Sequence, residues 1–322
     1  MDHPQHTHPG DDKTPDWEKA LLEKLAFAAL HEQRNTRRWG IFFKLLTFGY
    51  LVAVLMIAVY PQMETDRQSD QQHVAVIDVL GMIAEGEAAN ADSIIDGLRE
   101  AAKDSNTKGI ILNINSPGGS AVQAAYVYDE IRRQKAEHPN LPIYSVVGDI
   151  CASGGYYIAA ASDKIYVSPA SLIGSIGVVM NGFGFSSVLE KLGVERRLMT
   201  AGEHKAMLDP FSPVKSQETQ HMQILLDQVH QQFIAAVKQG RGERLKETPE
   251  MFSGLVWSGE QGVKLGLADA FGSIDSVARN DLGSEETINF TPQEHLIDRL
   301  AGKFGAAFGH SIAMAIKNVS LQ

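Results

Sequence analysis

The 322-residue sequence predicts an α/β domain carried behind one membrane-spanning helix. Three observations predict it. The twenty residues from Ile41 to Tyr60 carry a single charge, Lys44. From His73 onward, short apolar runs without alternation are separated by stretches with helical spacing. Two of those runs end in glycine-rich turns that open helices. Strands buried on both faces read as continuous apolar runs, and strands alternating with helices imply a sheet covered by helices.

The elements follow in order. Met1 to Pro15 is polar, rich in His, Asp and Pro, and is expected to be disordered. His3, His6 and His8 have a spacing that can catch a metal, but a flexible tail that binds nothing is the plainer reading. Asp16 to Gln33 places Trp17, Leu21, Leu25 and Phe27 to Leu30 at helical spacing, as for a helix on a membrane surface or paired with its own copy. At about 1.5 Å per residue, a helix over Ile41–Tyr60 spans roughly 30 Å, the thickness of a bilayer core. Lys44 lies about one turn inside and can extend its amine back to the headgroups.

Arg34, Arg37 and Arg38 precede this segment, whereas Glu64, Asp66, Arg67 and Asp70 follow it. The asymmetry places the N-terminus in the cytoplasm and everything after Tyr60 outside it. A cleaved signal peptide fits poorly, because about forty residues precede the apolar run and Val59-Tyr60-Pro61 lacks the small residues of a cleavage site. Met63 to Gln72 reads as a polar linker. Buried strands are expected at Val74–Leu80, Gly109–Asn115, Pro142–Ile150 and Lys164–Pro169, and helices at Asp92–Lys103, Ala121–Lys135 and His221–Lys238. A last amphipathic stretch covers Leu296–Ile316.

A formal net charge of −10 argues against nucleic acid as a partner. The single cysteine, Cys151, cannot form an intrachain disulfide. Candidate chemistry sits in two turns. NINSPGGS (Asn113–Ser120) follows a buried strand and opens a helix, so its uncovered glycine amides can hold a developing negative charge. GDICASGGYYIAAASD (Gly148–Asp163) does the same with Ser153 at the turn, where a hydroxyl is either a nucleophile or a helix cap. A serine nucleophile needs a base, and His204 and Lys205 are the downstream candidates. Asp149 and His204 would complete a serine–histidine–aspartate set. A lysine base must be neutral, which moves its pKa from about 10.4 towards 7–8 and needs an apolar site. The chemistry alone slightly favours His204. Cys151 should be buried in the strand end, and Tyr156 and Tyr157 should pack.

INSPGGS, ASGGYY, LIGSIGVVM (Leu172–Met180), AGEHKAMLDPF (Ala201–Phe211) and WSGEQGVKLGLADAFG (Trp257–Gly272), in that order and spacing, resemble the signal peptide peptidase A family in its short, single-domain form. The resemblance covers about 200 residues, from Val74 to roughly Ser276. It implies the fold of Clp proteases and crotonases, with repeated β-β-α units, and a serine protease with Ser153 as nucleophile and Lys205 as general base. It further implies that Ser175 orients the lysine and that the amides of Gly119 and Gly154 form the oxyanion hole. The Clp histidine, one helix beyond the serine, has no counterpart between Ser168 and Val194, which favours lysine.

Hydropathy, charge and the resemblance together divide the chain into a cytoplasmic segment over 1–40, an anchor helix over 41–60, a linker over 61–72, a peptidase domain over 73–285 and an amphipathic tail over 286–322. The resemblance implies no cofactor or metal, apolar peptides such as remnant signal peptides as substrates, and a homo-oligomeric ring or dome on the outer face of a bacterial inner membrane. Two other classes are kept: a non-catalytic membrane scaffold and an acyl-CoA enzyme of crotonase type.

Overall fold

The computed structural model describes residues 16–65 and 71–292. The polar tail with His3, His6 and His8 and the stretch Leu296–Ile316 lie outside the described residues. Ser69–Gln293 form one compact unit, and the N-terminal helix belongs to another.

That helix, α1, runs from Asp16 to Thr65. It joins the two helical stretches of the sequence without a break and continues through Pro61 into the segment expected to be linker. Its window Arg37–Met56, of mean hydropathy 1.8, is long and apolar enough to cross a membrane. Phe42, Leu45, Phe48 and Leu51 are all exposed along it. A helix apolar on every side wants a hydrocarbon surrounding.

The second unit contains, in chain order, β1 (His73–Ile83), α2 (Ala91–Lys103), β2 (Thr107–Gly119), α3 (Ala121–Glu137), β3 (Ile143–Ala152), α4 (Gly154–Ala160), β4 (Lys164–Val167) and β5 (Leu172–Gly174). It continues with α5 (Ser186–Lys191), α6 (Ser216–Arg241), β6 (Val256–Ser258), α7 (Gly259–Leu265), β7 (Ala270–Phe271), α8 (Ile274–Asn280) and β8 (Thr287–Asn289). One sheet runs β6-β5-β3-β2-β1-β8, with β4 between β3 and β7 off that path. All pairs are parallel except β5 with β6. The α/β architecture read from the sequence is thus present. β8 lies past position 285 and adds an edge strand beside β1, so the sheet extends beyond the expected domain end.

The apolar runs become strands because both their faces are covered. On one face Ile77, Ile110, Leu112 and Ile114 are fully buried with Leu98 of α2, Ile131 of α3 and Val237 of α6. On the other, Val74, Val76, Ile111 and Val146 meet Val277 and Leu282 at α8. Each such side chain is worth about 1.5–3 kcal/mol when buried.

Much of the final motif is structural. Ser258 caps α7 in a capping box with Gln261, and Gly266 ends that helix in the left-handed conformation. Asp269 receives Arg241 Nη1 at 2.8 Å and the Ile165 N–H at 2.7 Å, tying α6 to β4.

β1 and β2 are both longer than their apolar runs, and both bend. The β1–β2 register shifts between Leu80 and Met82, around Gly81 at φ 84°, and the β2–β3 register shifts between Ile114 and Ser116. These bulges aim the strand ends at one place on the carboxyl edge of the sheet.

Candidate active site

The site is built where β3 and β5 end together. Their parallel register pairs Ile150 with Leu172, Cys151 with Ile173 and Ala152 with Gly174. The next residue on each strand is a serine, and both leave the sheet at positive φ: Ser153 at 51° and Ser175 at 50°. Adjacent strands lie about 4.8 Å apart, so the two serines stand side by side. The Ser153 N–H donates to Gly174 O at 2.8 Å, and the Ser175 N–H donates to Leu255 O at 2.8 Å. Ser153 has ψ −121°, a conformation that L residues adopt only under constraint, at a cost of order 1–3 kcal/mol.

A capping role for Ser153 is not what the geometry shows. It immediately precedes α4, yet its side chain makes no capping hydrogen bond. The hydroxyl is partly exposed and has no partner among the described residues. Gly154 is the first residue of α4, where amides have no intrahelical acceptor.

The glycine loop closes against this turn. Gly118, at φ 103°, is so near that a Cβ on it would lie 2.7 Å from both Gly154 N and Ser153 Cβ. A Cβ on Gly119, at φ 153°, would run into Ile83 O. One on Gly154 would stand 3.2 Å from Gly119 N. The backbones of Gly118, Gly119 and Gly154 are therefore packed together beside Ser153. The surroundings allow glycine alone at 118 and 119.

Lys205 is placed differently. It lies in an exposed turn, its N–H donating to Gly202 O at 3.1 Å, and its amine has no hydrogen bond or ion pair among the described residues. No bond joins it to Ser153 or Ser175 within one chain. His204, beside it, is equally exposed. Asp149 is engaged by Asn115 Nδ2 at 3.2 Å, so no serine–histidine–aspartate set is assembled.

The turn is held from below: Glu218 Oε2 accepts the Leu208 N–H at 3.1 Å, and the Phe185 N–H donates to Pro210 O at 2.6 Å. Asp209 accepts from Ser212 Oγ at 2.7 Å and pairs with Arg196, and these bonds hold its carboxyl below the usual range despite partial desolvation.

The remaining sequence candidates are structural. Cys151 is fully buried and burial pushes its thiol pKa up, away from reactivity. Tyr156 is buried with its hydroxyl donating to Leu267 O at 2.8 Å, and Tyr157 stacks on Phe233. Among the described residues no three His, Cys, Asp or Glu side chains cluster in a way that suits a metal ion.

Three residues escaped the sequence reading. His230 on α6 hydrogen-bonds Ile176 O at 3.0 Å, next to Ser175. The indole of Trp257 lies against Gly174, where a Cβ would be 2.9 Å from its Cδ1. Ser116 is buried under the glycine loop. Ser116 and Trp257 had a signal, as members of the glycine-rich string and of the WSGEQGVKLGLADAFG string, and His230 had none.

The family models agree with this geometry. Residues 135–283 match peptidase family S49. Residues 70–173 match the Clp protease family. The S49 segment holds Ser153, Ser175 and Lys205, the Clp segment holds the glycine loop, and the family resemblance of the motifs is borne out.

Among curated proteins, one named Na(+)/H(+) antiporter NhaA from Brucella melitensis biotype 1 is 41% identical over 203 residues, 63% of this chain but 27% of its own length. The putative signal peptide peptidase SppA of Enterococcus faecium is 32% identical over 206 residues, 63% of this chain and 59% of that protein. Protease 4 of Haemophilus influenzae is 30% identical over 223 residues, covering 67% of this chain and 35% of that protein. The chain thus spans about a quarter of the first of these relatives and less than two thirds of the other two. Among solved structures, the 1510-N membrane-bound stomatin-specific protease aligns with 73% of this chain and 98% of its own at 19% identity and a TM-score of 0.45, a likeness too loose to bear on function.

Proposed function

We propose that this chain is a membrane-anchored serine endopeptidase of S49 type, with Ser153 as nucleophile and Lys205 as general base. The observation that carries the proposal is the Ser153 turn: a serine at φ 51°, with an unengaged hydroxyl, facing a glycine loop packed to contact distance. Strain of this kind persists where the surroundings over-determine it, and it clusters at reactive groups.

In the reaction, neutral Lys205 takes the hydroxyl proton as Ser153 Oγ attacks a peptide carbonyl carbon. The amides of Gly119 and Gly154 hold the oxyanion. Collapse breaks the C–N bond, and the lysine returns its proton to the leaving amine. Water, deprotonated by the same lysine, then hydrolyses the acyl-serine and regenerates both groups. Ser175, one ladder position from Ser153, is suited to orient the amine.

A base working as the free amine needs a dry, apolar surrounding, which the exposed turn of a single chain does not provide. We infer that a second copy supplies it. Between Gly177 and Gln217 no residue is buried, while Phe183 (82% exposed), Met199 (96%), Val179 (77%) and Leu192 (70%) present apolar surface. A ring or dome of copies would cover that surface and bring Lys205 of one to Ser153 of the next. With the N-terminus in the cytoplasm, as the flanking charges suggest, the domain would lie outside it, where apolar remnant signal peptides are the fitting substrates, in keeping with the peptidase-named relatives.

The test is complementation. Ser153→Ala and Lys205→Ala are each expected to be inactive towards an apolar fluorogenic peptide, and co-assembled mixtures of the two are expected to regain activity. Mixtures that stay inactive although both variants co-assemble would contradict a base supplied by the neighbour. If the wild-type assembly neither cuts peptides nor accepts a fluorophosphonate on Ser153, a non-catalytic scaffold is left as the reading.

A further inference from the structure

We infer that Ser116 is the positioning residue of the oxyanion hole, an inference that rests on the peptidase reading. Its side chain is fully buried and its hydroxyl is committed twice. It donates to Gly81 O at 2.6 Å and accepts the Gly118 N–H at 3.1 Å. Gly81, at φ 84°, is the single β1 residue opposite the two β2 residues Ser116 and Pro117, and Gly118 of the glycine loop is at φ 103°. One hydroxyl therefore bolts the bend of β1 to the loop that carries Gly119.

Two further contacts make Ser116 the meeting point of the whole turn. It pairs with Cys151 across β2 and β3, two residues before Ser153. Its carbonyl oxygen lies against Gly155, where a Cβ would be only 3.2 Å away. The residue that fixes the height of the glycine loop thus also abuts the strand and helix that present the nucleophile. An oxyanion donor works only when its N–H is aimed before charge develops, and a loop of consecutive glycines has no stiffness of its own to keep that aim. The β1–β2 register shifts between Leu80 and Met82 and resumes with Met82 opposite Gly118, so the Ser116 hydroxyl spans the break where the ladder itself is interrupted. Ser116 is too enclosed to touch substrate. Its effect must pass through the loop, and it must appear where charge develops on the carbonyl oxygen.

The experiment compares the full-length chain in detergent as wild type, Ser116→Ala and Ser116→Cys, with active sites counted by the endpoint of fluorophosphonate labelling. Per labelled site, Ser116→Ala is expected to lower kcat by about 10- to 100-fold while KM moves by less than about threefold, the split expected when stabilisation specific to the transition state is lost. The affinity of a peptide aldehyde, which mimics the tetrahedral adduct, is expected to fall in proportion, while that of the product acid stays. Ser116→Cys, near-isosteric with a weak donor, should fall between.

A merely structural role would lower the melting temperature or the number of labelled sites without changing these per-site quantities. Per-site kcat and aldehyde affinity within about twofold of wild type in both variants would overturn the inference. If Ser116→Ala does not fold, the Cys variant decides by the same readouts. A wild type that neither hydrolyses peptide nor labels at Ser153 removes the peptidase reading and this inference together. An active wild type indifferent to Ser116 removes the inference alone.

Discussion

The two halves of the proposed site are built in opposite ways. The nucleophile half, from β1 to Ile176, is buried on both faces, and its turn is fixed by ladder register, glycine contacts and the Ser153–Gly174 bond. The lysine half, Gly177 to Gln217, has no buried residue and is clasped only by a few bonds such as Glu218 to Leu208. A single chain can therefore hold a strained serine, because the surrounding sheet carries the cost. It cannot by itself dehydrate a lysine. The difference is why we place the base with a neighbouring copy.

Substitutions in the two halves should differ in kind in their effects. The largest is Gly119→Ala: with φ at 153° and Ile83 O in the way, the methyl group should cost about 2–4 kcal/mol and abolish activity, read by thermal melting and peptide hydrolysis. A Gly119→Ala protein that melts like wild type would show the loop is less tightly held than the contacts imply.

Next is Glu130→Gln on α3. Burial alone would raise the Glu130 pKa, but hydrogen bonds from Arg133, Arg99 and Gln134 outweigh it and hold it at about 2 instead of 4.5. A depressed carboxyl contributes stability above its unfolded pKa and loses it as pH falls towards the folded one. The variant should therefore be about 2 kcal/mol less stable at pH 7, with the gap closing between about pH 4.5 and 2.

Smaller still, Ser153→Gly should raise stability by about 1 kcal/mol while eliminating hydrolysis, because glycine carries no penalty at this φ. A stability loss instead would mean the turn is not strained. Smallest in stability is Met199→Asp in the lysine half, expected within about 0.5 kcal/mol in melting of the isolated chain. Its effect should lie in assembly: sedimentation should show smaller species, and activity should fall with them.

Much of the fold was legible because buried parallel strands leave continuous apolar runs. Val74–Leu80 and Gly109–Asn115 are the centres of β1 and β2. Their extensions to Ile83 and Gly119 were not read, since a register shift with one extra residue in β2 opposite Gly81 leaves no periodic trace. β5 to β8, each two or three residues long, fall below what periodicity can resolve, although β5 places Ser175 beside Ser153. Ser153 and the glycine loop were legible as a strand-to-helix turn. The support given by Ser116 and His230 was not, because it depends on residues 35 and 54 positions away meeting backbone carbonyls.

The most direct test of the serine–lysine reading is hydrolysis of an apolar fluorogenic peptide by the full-length assembly as wild type, Lys205→Ala and His204→Ala. Lys205→Ala alone should lose activity, on the order of 10⁴-fold or more, while remaining folded and assembled. A dead His204→Ala beside a working Lys205→Ala would contradict that reading, and would move the base to the neighbouring residue.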